Sequence, residues 1–82
     1  HTMRKAALDL LVALAPDDPE THASVVEALD DGFHRMRGWA AEAAGKLKVR
    51  RAEARLRRMA DTDPDGGAKG AAKAALDRLA GR

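Results

Sequence analysis

The sequence predicts an all-α fold, a right-handed α-solenoid of antiparallel helix pairs with five helices, or about two and a half repeats. Nineteen alanines, nine leucines, four valines and no isoleucine among 82 residues favour helix over strand. No segment alternates between apolar and polar residues, so no strand is expected. An internal repeat, with offsets of 33 and then 32 residues, is typical of repeated helix pairs.

Three segments of the chain align in this repeat. In each of them the apolar residues recur with a period near 3.6, as on one face of a helix. The three stripes are Met3, Ala7, Leu10, Leu11 and Leu14; Met36, Ala40, Ala43, Ala44 and Leu47; and Ala68, Ala72, Ala75, Leu76 and Leu79. They predict helices over residues 3–15, 35–47 and 68–80.

Two further helices are predicted between the repeated ones, over residues 19–29 and 50–60. The first begins at Asp18-Pro19-Glu20, where an N-cap acceptor, a proline and an acid near the positive end of the helix dipole follow in order. The second ends in residues 61–67, which are rich in turn-forming residues. Residues 1–82 are therefore expected to form a single helical segment, a fragment of a larger protein.

Composition excludes several classes of protein. The chain has no cysteine, which excludes a disulfide scaffold and thiolate metal sites. Phe33 and Trp39 are its only aromatic residues, too few for a platform that stacks bases. No apolar run reaches the roughly 20 residues of a membrane span, and no secretory leader is recognisable, so a cytoplasmic location is expected. The net charge of +2 is too small to predict a polyanionic partner.

No catalytic or metal-binding arrangement is predicted on this chain. A helical metal site needs two histidines four residues apart, whereas His1, His22 and His34 lie 21 and 12 residues apart. Ser24 is the only serine and lacks the Gly-x-Ser-x-Gly context of a nucleophile. Residues 61–66 resemble the start of an EF-hand loop but lack its closing glutamate, so helix capping is the favoured role of these acids. The chain is expected to hold no cofactor.

Two aspartate–cation pairs resemble the pattern of HEAT-type repeats. Asp31 precedes Arg37 by six residues, and Asp63 precedes Lys69 by six. The resemblance implies that these side chains form a ladder that ties adjacent units together, as they do in that family. A turn carboxylate that accepts from a neighbouring helix would hold the angle between units. Arg4 occupies the equivalent cationic position without a preceding aspartate, so it is expected to lack such a partner.

A second resemblance concerns the last third of the chain. Residues 56–66 (Leu-Arg-Arg-Met-Ala-Asp-Thr-Asp-Pro-Asp-Gly) and the helix ending at 75–79 (Ala-Leu-Asp-Arg-Leu) resemble the C-terminal end of bacterial aminopeptidase N-like zinc metallopeptidases that carry HEAT repeats. This implies a parent whose C-terminal helical domain helps to shape access to a catalytic chamber. The zinc motif H-E-x-x-H is absent here, so the resemblance carries no catalytic or zinc-binding residue over to this chain.

A basic cluster supports an alternative function. Arg51, Arg55 and Arg58 follow i, i+4, i+7 spacing and form one stripe on the fourth predicted helix. Such a stripe is able to follow nucleic-acid phosphates or to face an acidic protein surface. The simpler interpretation, which we favour, is a solvated helix face that offsets the acidic turns. Nucleic-acid binding by a HEAT-like module is therefore the second hypothesis, after a non-catalytic scaffold for protein contact.

The first predicted helix provides the candidate contact surface. Stacked helix pairs bury a continuous core only where each unit has a neighbour. No helix is predicted on its outer side, so Leu8, Leu10, Leu11 and Val12 are expected to form an exposed apolar N-terminal face. Such a face binds another unit or another molecule. We predict contact with the rest of a parent chain or self-association through this helix.

Glycines and tryptophan mark three further positions of interest. Gly38, Gly45 and Gly70 stand inside predicted helices, where each costs roughly 1 kcal/mol relative to alanine. They either permit close helix approach or mark weak segments. Trp39 replaces the alanine of the other two repeats. It either fills a gap between helices or, if exposed, acts as a contact hot spot.

Overall fold

A computed structural model describes residues 2–81, with only the backbone described for residue 2. This part of the chain is all-α, with five α-helices and no strand, as the composition and periodicity predict. The helices are α1 (Thr2–Leu14), α2 (Pro19–Ala28), α3 (His34–Lys46), α4 (Glu53–Thr62) and α5 (Gly66–Leu79). A 3-10 helix, Arg50–Ala52, precedes α4. Within residues 2–81 no helix combines the length and apolar character that crossing a membrane requires.

The predicted helix bounds differ from the observed ones mainly at the later helices. Those of α1, α2 and α3 lie within one residue of the expected ranges. The predicted fourth helix, 50–60, is a 3-10 turn followed by α4, which continues to Thr62. The predicted fifth helix, 68–80, begins two residues early, at Gly66.

Aspartates begin two of the helices. The Asp18 carboxylate accepts a hydrogen bond from the Glu20 amide at 2.8 Å, which confirms the predicted start of α2. The Asp65 carboxylate accepts from the Ala68 amide at 2.9 Å. This N-cap outweighs the low helix propensity of the two glycines that follow, because it satisfies an amide that the first turn would otherwise leave unpaired.

The end of α3 adopts a Schellman-type turn. The Val49 amide donates to the Ala44 carbonyl at 2.9 Å, and the Lys48 amide donates to Gly45. Lys48 has a φ of +56°, a left-handed conformation that usually falls to glycine. The turn reverses the chain within three residues, so the short Lys48-Val49 link that the sequence predicts is sufficient.

The core is formed by small side chains around α3. This helix packs most extensively on α5, while α4 also packs on α5, α2 packs on α3, and α1 rests on α2 and α3. Seven of the fifteen buried apolar residues are alanines. The core consists of Leu8, Val25, Leu29, Met36, Ala40, Ala41, Ala44, Val49, Ala52, Leu56, Met59, Ala68, Ala72, Ala75 and Leu79. The predicted stripes on α3 and α5 therefore face the interior.

The helices α3 and α5 approach closely at Gly45. A Cβ atom placed on Gly45 would lie 2.9 Å from the Ala75 Cα atom, and one on Gly38 would lie 4.0 Å from the Ala68 Cα atom. From the first contact to the second, the chain moves forward by seven residues on each helix, so α3 and α5 run parallel. The sequence leaves two interpretations of the helical glycines open. Gly45 fits the first, because it permits close helix approach, whereas Gly70 faces open space.

Alanine substitution should separate these two glycines. Gly70→Ala is expected to raise the free energy of unfolding by about 0.5–1 kcal/mol, because helix propensity improves and nothing obstructs the new methyl group. Gly45→Ala gains the same propensity but is expected to lower the free energy of unfolding by roughly 1–3 kcal/mol, because the methyl group collides with the backbone of α5. Urea unfolding of both variants measures the difference, and equal effects would contradict the close approach.

Candidate interaction surface

The apolar stripe that is buried on α3 and α5 is exposed on α1. Met3 is 85% exposed, Leu10 59%, Leu11 38% and Leu14 76%. Their repeat equivalents are buried or half-buried on α3 and α5. These four are also all the exposed large apolar residues among those that the structure describes. Exposed apolar surface is therefore concentrated on one helix.

The predicted N-terminal face needs a correction. Leu10 and Leu11 are exposed as expected, but Leu8 is 5% exposed and Val12 is half-buried. The expectation was wrong for Leu8 because it lies on the opposite side of α1 from Leu10. Leu8 and Val12 instead line the groove between α1 and α3. The exposed set also includes Met3 and Leu14, which the sequence analysis assigned to the repeated stripe.

The outward side of α1 carries no charge. We define the outer face of α1 by its exposed apolar residues, which are Met3, Ala6, Ala7, Leu10, Leu11, Ala13 and Leu14. Arg4 and Asp9 stand at its borders. Since Leu8 and Val12 fill the inner side, α1 is apolar on both sides, a pattern that is typical of helices buried within an assembly.

A bidentate ion pair connects α3 to the turn after α4. The Arg37 Nε atom donates to the Asp63 carboxylate at 2.8 Å, and its Nη2 atom donates at 3.0 Å. The Asp63 side chain is only 4% exposed and also accepts from the Asp65 amide. The hydrogen bond from Arg37 holds the pKa of Asp63 below its ordinary value, against the effect of burial. The same hydrogen bond raises the pKa of Arg37.

The same arrangement occurs one repeat earlier. Arg4 forms an ion pair with Asp31 at 2.5 Å, and the Asp31 carboxylate accepts from the Phe33 amide. The expectation that Arg4 lacks a partner was wrong, because its guanidinium reaches the aspartate that follows α2 rather than one that precedes it. In both pairs the cation lies one repeat before the carboxylate. The two contacts tie α1 to the turn after α2, and α3 to the turn after α4.

The structure departs from the predicted ladder at its last member, Lys69. Arg37 contacts the Asp31 carbonyl oxygen at 2.9 Å, so Asp31, Arg37 and Asp63 belong to one network. Lys69, in contrast, has no hydrogen bond or ion pair with Asp63 within the described residues. Arg37 instead donates to both oxygens of that carboxylate.

The predicted arginine stripe on α4 is partly used within the chain. Arg51 donates to the Pro19 carbonyl oxygen at 3.2 Å, and Arg55 forms an ion pair with Asp30. Arg58 is exposed, and its guanidinium has no partner among residues 2–81. Arg51 therefore holds the 3-10 helix to the start of α2, and Arg55 holds α4 to the turn after α2.

Two other cations terminate α5, a role that the sequence analysis missed. Lys48 donates to the Arg78 carbonyl oxygen, and Arg50 donates to the Leu79 carbonyl oxygen at 3.1 Å. These carbonyls belong to the last turn of α5, where they lack partners within the helix. The cations also lie at the negative end of the helix dipole. The partner helix is 29 or 30 residues away in sequence, so no local pattern indicates this contact.

His22, Asp63 and Asp65 make hydrogen bonds within the fold. His22 donates from Nε2 to the Pro16 carbonyl oxygen at 2.7 Å. His34 is exposed and lies 3.9 Å from Asp65, whereas His1 falls outside the described residues. Among residues 2–81 no group of three or more histidines and carboxylates is placed to hold a metal ion. The acids of residues 61–66 include the cap Asp65 and the paired Asp63.

Trp39 lies half-buried where α1 meets α3. Its ring packs edge-on against Phe33, with centroids 6.3 Å apart, and the Lys5 ammonium lies 4.8 Å above it. The ring lines a groove of about 460 Å³ together with Leu8 and Val12. Trp39 therefore fills a gap between helices, the first of the two interpretations that the sequence allows.

Removing the carboxylate of Asp63 should destabilise the fold at neutral pH. Asp63→Asn is expected to lower the free energy of unfolding by about 1.5–3 kcal/mol at pH 7, because a charged hydrogen-bond partner of Arg37 is lost. The folded-state pKa lies below the unfolded value of about 3.9, so the stabilisation is complete above that pH and is lost as the pH falls through the folded-state pKa.

Urea unfolding of three proteins at pH 7 and at about pH 2.5 measures this effect. Wild type should lose more stability in acid than Asp63→Asn does. The control is Asp61→Asn, which removes an exposed carboxylate two residues earlier and should behave as wild type. An acid response in Asp63→Asn as large as that of wild type would contradict the role of the ion pair.

Comparison with known proteins gives no family for this chain. No protein-family model, curated protein or solved structure matches it. The resemblances to HEAT-type repeats and to aminopeptidase N-like peptidases therefore stay predictions. Function has to be inferred from the outer face of α1 and from the repeated ion pairs.

Proposed function

We propose that the chain is a non-catalytic helical-repeat segment that makes protein contacts through the outer face of α1. The observation that carries this proposal is the contrast between equivalent stripes. Residues that α3 and α5 bury against neighbouring helices are exposed at the same repeat positions of α1. A repeat unit whose stripe is uncovered is suited to receive another helical surface.

Two features support a HEAT-like, right-handed α-solenoid as the architecture of this segment. In such a solenoid the equivalent helices of adjacent repeats stack in parallel, and α3 and α5, which are equivalent in the repeat, run parallel. The ion pairs Arg4–Asp31 and Arg37–Asp63 recur at separations of 27 and 26 residues. Recurrence of one contact at a nearly constant separation is typical of repeat proteins, in which each unit contacts its neighbours in the same way.

The two ends of the array differ in a way that supports a contact role for α1. On α5 the exposed side carries Lys73, Asp77 and Arg78, the polar outer surface that terminal repeats use as a cap. On α1 the outer face is apolar along its whole length, and the exposed charges of Arg4 and Asp9 stand only at its borders. A polar cap at one end and an apolar face at the other favour contact through the α1 end.

The resemblance in residues 56–66 supplies the parent that we favour. We propose that the segment belongs to the C-terminal helical region of an aminopeptidase N-like zinc metallopeptidase. In such a parent the zinc site and the catalysis would belong to another part of the protein. This segment would contribute packing surface near the substrate entrance, and by itself it would have no peptidase activity.

The internal contacts of the arginine stripe favour protein contact over nucleic-acid binding. Phosphate binding by Arg51 and Arg55 would require both side chains to leave the partners that hold them within the fold. Only Arg58 of the three is available without such a loss. Nucleic-acid binding therefore stays the second candidate, with the exposed cations of α4 as its surface.

The outer face of α1 should bind an apolar dye in the folded state. At about 1 µM chain, 8-anilinonaphthalene-1-sulfonate is expected to fluoresce with wild type and to lose most of that signal with Leu10→Lys combined with Leu14→Lys. Lysine is a good helix former and suits the C-terminal end of a helix, so α1 should persist.

The matched control places two lysines elsewhere, as Ala54→Lys combined with Ala74→Lys at exposed positions of α4 and α5. It adds the same charge and should bind the dye as wild type does. Cooperative urea unfolding of each protein distinguishes a folded apolar face from a loosely packed state. The proposed contact surface would be contradicted if wild type bound no dye, or if the Leu10/Leu14 variant bound as much dye as wild type.

Nucleic-acid binding has a separate test. We expect no binding to single- or double-stranded DNA or RNA at about 0.15 M salt, either by the wild type or by the triple variant Arg51→Glu, Arg55→Glu and Arg58→Glu. Fluorescence anisotropy over a salt series measures this. Binding that persists at physiological salt, falls steeply as salt rises and disappears in the triple variant would establish the second candidate instead.

A further inference from the structure

We propose that the groove between α1 and α3 binds the C-terminal end of a peptide, with its carboxylate on Lys46 and Arg78 and an apolar side chain against Trp39. This groove lies on the opposite side of α1 from the outer face, since Leu8 lines it and Leu10 does not. Binding there is a property beyond the proposed contact surface and is tested separately from it.

The groove exists because equivalent helices meet at different spacings. At the junction of α3 and α5, Gly45 and Ala71 are small, and the two backbones come close together at Gly45. At the junction of α1 and α3, the equivalent repeat positions hold Val12 and Trp39. These larger side chains keep α1 away from the backbone of α3 and leave a groove of about 460 Å³. That volume falls within the roughly 300–1,000 Å³ of small-ligand sites.

The floor of the groove is apolar. Trp39, Val12 and Ala43 line it and are half-buried, and Leu8 is 5% exposed beneath them. A partly exposed tryptophan ring beside aliphatic side chains gains stabilisation when an apolar group covers it. The floor is therefore suited to an apolar side chain of a ligand.

Two cations without a carboxylate partner stand at one end of the groove. Lys46 is exposed in the last turn of α3, and neither it nor Arg78 forms an ion pair within residues 2–81. Arg78 reaches the groove from α5 by crossing Gly45, where a Cβ atom would lie 3.3 Å from its Cδ atom. Lys48 and Arg50 donate to neutral carbonyl oxygens of α5, so those contacts leave their positive charges in place. This end of the groove is therefore suited to a carboxylate.

The remaining charges of the groove favour a peptide over a fatty acid. Lys5 is paired with Asp9 at 2.5 Å, so these two residues add no net charge. Glu42 lines the groove one turn before Lys46 and forms no ion pair in the part of the chain that the structure describes. A hydrocarbon chain would remove water from Glu42 without replacing its hydrogen bonds, whereas a peptide amide is able to donate to it.

The length of the groove corresponds to about three residues of peptide. Trp39 and Lys46 are seven residues apart on α3, which is about 10 Å along the helix axis. Three residues of extended peptide span about the same distance. A peptide whose carboxylate lies at Lys46 therefore reaches Trp39 with the side chain of its third residue from the C-terminus.

Isothermal titration calorimetry of the 82-residue chain with acetyl-Leu-Ala-Ala tests the site. We expect a Kd of about 0.1–1 mM, because the peptide is small and the groove is open. The C-terminal amide of the same peptide should bind at least about 5-fold more weakly, because it lacks the charge that Lys46 and Arg78 bind. Acetyl-Ser-Ala-Ala should also bind more weakly, because it offers Trp39 no apolar side chain.

A charge variant locates the carboxylate. Lys46→Gln combined with Arg78→Gln should bind the acid and the amide of the peptide equally weakly, because the partners of the carboxylate are gone. The matched control is Arg58→Gln combined with Lys73→Gln, which removes the same charge from exposed positions outside the groove. It should bind the acid as wild type does.

A second variant fills the groove and keeps every charge. Ala43→Leu should weaken peptide binding at least about 10-fold, because the larger side chain occupies the apolar floor. Ala54→Leu adds the same side chain at an exposed position of α4 and should leave binding unchanged. Cooperative urea unfolding of each variant shows that its fold persists.

Decanoate is the probe for the fatty-acid alternative. Its binding to the groove is the part that Ala43→Leu abolishes, since its chain is also able to bind the outer face of α1. We expect that part to be weaker than binding of acetyl-Leu-Ala-Ala. Decanoate that binds the groove more tightly than the peptide would overturn a peptide ligand.

Tighter binding of the acid than of the amide, lost in both groove variants and kept in both controls, supports the peptide site. Absence of binding at about 10 mM peptide, equal binding of acid and amide by wild type, or binding that either groove variant leaves unchanged overturns it. None of these results bears on the outer face of α1, because the apolar dye and the Leu10/Leu14 variant test that surface independently.

Discussion

The close contact between α3 and α5 is the constraint on which the other helices depend. Gly45 and the buried alanines allow these helices to meet backbone to backbone, and α2 and α4 then pack around them. Small side chains bring helices close together but bury little apolar area. The stabilisation is correspondingly small, because burial contributes about 0.8 kcal/mol for each methylene group. Such a core gains stability chiefly by extending from helix to helix. An uncovered helix face at one end therefore costs this fold a larger share of its stabilising contacts than it would cost a fold with a core of large side chains.

The ion pairs give this thin core a defined geometry. Contacts between alanines are weakly directional, so several crossing angles would bury similar areas. A bidentate contact such as that between Arg37 and Asp63 is strongly directional, because both donors must meet both oxygens. Asp31 and Asp63 are in turn fixed by backbone amides two residues on. The carboxylates thereby couple the turn after α2 to the position of α1, and the turn after α4 to the position of α3.

The sequence predicts the helices well, because their signals are local. The apolar period of α3 and α5 and the Asp18 cap are read within a single helix, and they agree with the structure. The buried side of α1 is not predictable in this way, since Leu8 and Leu10 lie on opposite sides of a helix that carries apolar residues on both of these sides. Which side faces inward depends on where α2 and α3 stand. The contacts of Arg4, Lys48 and Arg50 span 27 to 30 residues and likewise need the assembled fold.

The position of Trp39 provides an intrinsic optical reporter. It is the only tryptophan of the chain, and it lies at the junction of α1 and α3 beneath the Lys5 ammonium. Its emission therefore reports on the contact between α1 and α3. Fraying of the N-terminal helix and global denaturation thus become separable by fluorescence and circular dichroism recorded on the same unlabelled sample.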